Sequence, residues 1–183
     1  MDSESARARV LDAAEELFYR RGVRAVGMDD VRGASGVSLK RLYQLFPAKE
    51  RLVEAYLERR DARWHGRLAA YVARHEDPRE RILAVFDWLR GWFAEEGFRG
   101  CAWINAHGEL GATSEAVAEQ VRAHQRAFRA YLGELVAAAG LAPALTGQLF
   151  LLAEGAMVTA GVTGSAEPAD EAREAARTLV GAR

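Results

Sequence analysis

The sequence predicts an all-α chain. Apolar residues recur every three or four positions through most of its 183 residues. Alternating runs of the strand type are nearly absent. Gly and Pro interrupt the pattern at intervals that suit helix ends. Half of the residues are hydrophobic and 28% are charged, so a core can form and disorder is not expected.

The first helix is expected over Arg7–Arg21, with Val10, Ala14, Leu17 and Phe18 on one stripe and Gly22 as terminator. Residues 28–46 then read as a short helix, a glycine turn and a second short helix. This is a helix-turn-helix, whose second helix fits the DNA major groove. Gly36 supplies a left-handed turn and Ser38 is a good N-cap. At 100° per residue, Leu39, Leu42 and Phe46 turn inward. Lys40, Arg41 and Gln44 lie opposite, as donors for base edges and phosphates. Tyr43 can reach a phosphate with its hydroxyl, and Leu45 a thymine methyl. Pro47 stops the chain. Lys49 opens a long helix to about Arg74 and brings a phosphate-binding charge beside free backbone N–H groups.

The body follows in the same idiom. Asp77-Pro78 starts a helix to about Glu96. Ile82, Phe86, Leu89 and Phe93 form one stripe on it, with Val85, Trp88 and Trp92 beside them. Gly100–Leu110 reads as one irregular helix. Thr113 or Ser114 caps a helix to about Ala139, and Pro143 opens another to about Gly164. The last, Asp170–Val180, is amphipathic. The helices therefore group as a three-helix DNA-binding head, residues 1–48, and a larger helical body, residues 49–183, which the resemblance given below implies to be a ligand-binding and dimerisation body.

Charge agrees without being decisive. Residues 1–67 hold 14 basic and 11 acidic side chains, whereas residues 68–183 hold 11 and 15. The single cysteine, Cys101, excludes an intramolecular disulfide and a multi-cysteine zinc site. Residues 1–10 are polar, so no secretory leader is expected. The nearest membrane candidate, Leu149–Val162, is short and carries Glu154. A cytoplasmic chain with no membrane partner is expected.

Several landmarks in one register resemble the DNA-binding domain of the TetR/AcrR family of transcriptional regulators. They are Val-Leu-Asp-Ala-Ala-Glu-Glu-Leu-Phe at 10–18, Arg21-Gly22, Met28-Asp29-Asp30-Val31, Ser35-Gly36-Val37-Ser38, and Leu42 through Glu50. The resemblance covers roughly residues 5–55. Two positions depart from it. Gly27 stands where the family usually has a Ser or Thr cap, and Lys40-Arg41 where it often has a small residue followed by Thr. The resemblance implies dimerisation through residues about 144–182. The helix at 144–164 is apolar nearly all round, with the small residues Gly147, Gly155, Ala156, Ala160 and Gly161 permitting close approach. Arg99-Gly100-Cys101 through Asn105 also resembles a stretch in a subset of these ligand domains, which favours a structural role for Cys101 over a redox one.

Trp88, Trp92 and Trp103 are either core or the walls of a pocket for a flat apolar molecule. Asn105, His107 and Glu109 follow as polar contacts, and Phe128 and Glu154 join Asn105 and His107 in the candidate ligand set. Glu154, the only ionisable residue of its helix, either faces the pocket and meets a cationic group, or pairs with an Arg or sits at the solvent edge, the structural pairing being favoured. His107, Glu109 and His124 lack diagnostic metal spacing. His124 falls on the stripe Val117, Val121, Phe128, Leu132, where a hydrogen-bonded core histidine is expected. No metal and no cofactor are assigned. The sequence has no nucleophile elbow, phosphate loop or clearly spaced carboxylate pair, so no enzyme is expected. The expectation is a ligand-responsive repressor that binds a palindromic double-stranded operator as a homodimer, released by a small, largely apolar or aromatic effector. The alternative is a ligand-independent or architectural DNA-binding protein.

Overall fold

The computed structural model describes residues 2–181, among which there are nine helices and no strand. They are α1 (Ser3–Arg21), α2 (Met28–Ser35), α3 (Leu39–Leu45), α4 (Lys49–Val72), α5 (Pro78–Phe93), α6 (Ala102–Leu110), α7 (Glu115–Ala138), α8 (Leu145–Thr163) and α9 (Glu167–Gly181). Two start earlier than apolar periodicity alone suggests, because caps decide the matter. Asp2 accepts the Ser5 N–H at 2.8 Å, and Ser165 Oγ accepts that of Glu167 at 3.1 Å.

Contacts divide the chain into two compact units. One holds residues up to Asp61 together with Ala102–Arg122; the other holds Ala62–Cys101 and the residues from Ala123 onward. The division runs through α4 and α7.

In the first unit, α1 buries Ala6, Val10, Ala14 and Phe18, and Phe18 meets Tyr56 of α4 edge-on at 5.7 Å. Ion pairs then fix the angle between these helices. Arg59 donates to Asp12 and to Glu15, both at 2.8 Å, and Arg60 to Glu15 at 3.1 Å. Arg60 also lies 4.1 Å over the Tyr19 ring. Glu15, Arg59 and Arg60 are each no more than 20% exposed, so removing one partner would strand a shielded charge. Gly36 takes the left-handed conformation the turn needs, at φ 65°.

In the second unit, α5 is the central element. Both of its predicted stripes are buried, which requires neighbours on more than one side. Asp77 caps it by accepting from the N–H groups of Arg79 and Glu80, and Pro78 occupies its first position. Helices α8 and α9 supply the cover. Polar clamps fix α9 along α5: Arg173 donates to Asp87 at 2.7 Å, Arg90 to Asp170 at 2.9 Å, and Arg79 to the Val180 carbonyl at 3.1 Å.

By length and composition alone α8 resembles a membrane span, as the core helix of a soluble protein also can. Yet Leu149, Ala153, Ala156, Met157 and Ala160 are buried within the chain. Ala156 and Ala160, two of the small residues expected to admit another helix, therefore serve the protein's own core. Gly161 serves a different close approach. A Cβ there would stand 2.9 Å from the Gly100 Cα, so backbone meets backbone.

Two helical glycines should respond oppositely to alanine. Gly66 in α4 is exposed and a Cβ there meets nothing within 4 Å. Gly66→Ala should stabilise by about 0.5–1 kcal/mol. Gly161→Ala should destabilise by about 1–3 kcal/mol, as overpacking does. Chemical denaturation of the two variants checks both signs.

Candidate nucleic-acid interface and ligand groove

The geometry of α3 follows from its ends. Ser38 Oγ accepts the Arg41 N–H at 3.3 Å, and Leu42 and Phe46 are buried. This anchorage turns Lys40, Tyr43 and Gln44 outward, all exposed, with Arg41 and Leu45 half-exposed beside them. Arg41 Nη1 donates to Gln44 Oε1 at 3.2 Å, which holds both polar groups on one edge. One expectation fails. Leu39 is 44% exposed rather than inward. It is the first residue of a seven-residue helix, before the stretch that Leu42 and Phe46 anchor. Two residues the sequence reading passes over lie against the ends of this motif. The Arg7 guanidinium covers the Phe46 ring at 4.9 Å, and an Arg9 nitrogen lies 2.8 Å from where a Cβ would stand at Gly36. A helix wheel of α1 alone could not have connected them to α3.

Helix α2 keeps half of a reciprocal cap. Gly27 offers no side chain, but its N–H donates to Asp30 Oδ2 at 2.8 Å. That bond is the main reason the Asp30 carboxyl titrates below its ordinary value, with Arg21 assisting. Lys49 is half-buried. Burial lowers its pKa, while the charges of Glu109 and Asp30 oppose the shift. Glu109, from α6, also accepts the Arg24 N–H at 2.7 Å and lies against Gly22. The loop after α1 is thus pinned by a carboxylate 85 residues away in sequence. From sequence alone Glu109 reads as a polar contact for a ligand.

Trp103 is buried in α6, in this same unit, whereas Asn105 and His107 are exposed on that helix. The other candidate ligand residues belong to the second unit, where the organising ring is one the sequence reading missed. Trp64 meets Trp88 at 5.1 Å, Trp92 at 5.8 Å, Phe128 at 5.1 Å and His124 at 5.1 Å, all edge-on. The signal was available, because Leu57, Trp64, Leu68 and Val72 continue the buried stripe of α4 at helical spacing. Trp88 and Trp92 stack on each other at 5.7 Å.

Both of those tryptophans also line an open groove of about 480 Å³ between α4 and α5, with Arg67, Tyr71, Arg74, Asp87, Gly91 and Glu95. Arg67 is paired to Glu95 and lies 6.0 Å over the Trp88 ring. The groove therefore offers an aromatic floor and a charged rim. Phe128 is fully buried and packs on Phe150 at 5.9 Å. Glu154 is half-buried, with Oε1 out of reach of any hydrogen-bond donor. Burial raises its pKa, and the Gln125 amide only partly offsets this. The partner it shows is thus a neutral amide, where an arginine was one expectation.

Comparison with known proteins agrees with this architecture. Residues 10–56 match the family described as bacterial regulatory proteins, tetR family. Residues 78–176 match the tetracyclin repressor-like C-terminal domain. An uncharacterised HTH-type transcriptional regulator of Mycobacterium tuberculosis strain H37Rv is 32% identical over 122 residues, which is 63% of this chain and 59% of that protein. The HTH-type transcriptional repressor NemR of Escherichia coli K12 is 30% identical over 60% of this chain and 56% of its own. The chain thus matches less than two thirds of the length of these relatives. Among solved structures, a TetR-family transcriptional regulator from Streptomyces coelicolor superposes with a TM-score of 0.90, at 27% identity, covering 97% of this chain and 95% of that one.

The buried carboxyl of Glu154 has a measurable sign. Its folded-state pKa lies above the ordinary 4.5, so folding is favoured below that value and loses stability as pH rises through the folded pKa. Glu154→Gln should therefore melt higher than the parent at pH 8, and the gap should close by about pH 4. A thermal melting series across that range reads it.

Proposed function

The chain belongs to the TetR family of bacterial transcriptional regulators, and on that premise we propose that it is a cytoplasmic, non-enzymatic, ligand-responsive repressor that binds a palindromic operator as a homodimer. The observation that carries the reading is the outward face of α3. Lys40, Tyr43 and Gln44 stand exposed around the Arg41–Gln44 bond, while Leu42 and Phe46 hold the other side. Lys40, Arg41 and Gln44 read base edges, Leu45 contacts a thymine methyl, and Ser38 fixes the helix start. Tyr43 and Lys49 hold phosphates.

A second copy is the occupant we assign to the uncovered face of α8 and α9. Leu151 is 70% exposed, Val158 46% and Val162 83%. An apolar groove of about 520 Å³ runs beside Leu151 and Leu152, against Ala175, Thr178 and Leu179. Two such helices from each copy make a four-helix, two-fold interface. The effector, small and largely apolar or aromatic, enters the groove floored by Trp88 and Trp92. Its binding shifts the dimer away from the arrangement that fits two half-sites.

The DNA and dimer assignments are tested together on an inverted-repeat operator. Arg41→Ala should cost about 1–3 kcal/mol and relax preference at one base position. Gly155→Arg should leave the fold intact, since a Cβ there meets nothing within 4 Å, yet convert dimer to monomer and abolish tight binding. Unchanged affinity and base preference in Arg41→Ala defeats the reading-face assignment. A parent protein that sediments as a monomer at micromolar concentration defeats the dimer.

The effector assignment is tested with a panel of aromatic compounds. Occupancy should quench tryptophan emission and weaken operator binding by about 1–3 kcal/mol of coupling, and operator should weaken the compound's binding by the same factor. Operator affinity unaffected across the panel favours a ligand-independent DNA-binding protein.

A further inference from the structure

From the second unit we infer that His65 and His124 form a binding site for a divalent transition-metal ion of the zinc, nickel or copper kind. His65 lies on α4, half-buried, and His124 on α7, 1% exposed. Their ring centroids are 5.3 Å apart with planes inclined at 54°, and nitrogens of the two rings approach within 4.8 Å. A tilt of that size is not ring stacking.

The separation is the one that shared coordination requires. A zinc–imidazole bond is about 2.0–2.1 Å. The ring centroid lies about 1.1 Å behind the nitrogen, so each centroid would sit about 3.2 Å from the ion. Two such ligands at the tetrahedral angle then have centroids about 5.2 Å apart.

The surroundings suit such an ion. Neutral imidazole is a preferred ligand for zinc, copper and nickel, and the packed rings around the pair hold it in place. Trp64 packs edge-on against both histidines, with centroids 5.0 Å from His65 and 5.1 Å from His124. The half-buried position of His65 gives an ion a way in. Two protein imidazoles leave further coordination positions open to other ligands. The histidines at 75 and 107, half-buried and exposed, provide the internal control.

The test uses the untagged full chain, stripped with a chelator and titrated with Cu²⁺ or Ni²⁺ while tryptophan emission is followed. Bound ions are counted by equilibrium dialysis. Cu²⁺ or Ni²⁺ should quench emission saturably, because Trp64 touches both ligands, with one ion bound per chain. His65→Gln and His124→Gln should each weaken binding at least tenfold, while a His75→Gln, His107→Gln double variant binds as the parent does. A second readout covers any variant that folds poorly. Zn²⁺ should raise the melting temperature of the parent and of the double control variant, and fail to raise that of His65→Gln. No saturable binding to the parent, or equal binding by parent and His65→Gln, overturns the site.

Discussion

Burial of α5 on more than one side is the constraint from which the body of the molecule follows. A helix with two apolar stripes has no face to spare for water, so it can exist only inside a bundle. Its first turn is secured by Asp77 and Pro78, and its register against α9 by Arg79, Arg90 and Asp87. The polar clamps cost little because they sit at the rim of the contact, and they choose one sliding position among several that apolar packing alone would allow. The same helix presents Trp88 and Trp92 to the groove, so the element that organises the core also floors the candidate ligand site.

The head is organised by a different device. Here the helices are short, two of them eight and seven residues, and their packing cannot rest on long stripes. Caps, a left-handed glycine and two anchors fix the third helix, and the outward polar face follows from that anchorage. Glu109 extends the logic across the sequence. A backbone N–H in an exposed loop finds its acceptor on α6, and that same carboxylate influences Lys49. The unit is thereby a single electrostatic neighbourhood in which the start of α4, the start of α2 and the loop after α1 are held together.

Most of the helices were legible in the sequence because periodicity and punctuation are local. The two stripes of α5, the turn at Gly36 and the buried stripe carrying His124 all follow from spacing alone. Legibility ended where the answer depended on which neighbour covers a face. Leu39 has the right angle on the wheel and no cover. Ala156 and Ala160 have the right size for a helix partner, and their partner is the chain's own core. Trp64 sits amid charged residues, so its central place among the rings emerges only when α4, α5 and α7 are assembled. Chemistry near a turn was hidden for the same reason, since Glu109 holds the backbone of a loop 85 residues away.

The ion pairs between α1 and α4 carry one more consequence. Arg59, Arg60 and Glu15 are shielded from solvent, whereas Lys40 stands in it and Arg41 is half-exposed. Added electrolyte screens charges that face water and reaches sheltered ones far less. Ionic strength therefore acts selectively on this unit, weakening whatever the outward cations hold while leaving the brace between its two long helices nearly untouched. A shift in cellular salt would be felt at the surface of the head before it was felt in its architecture.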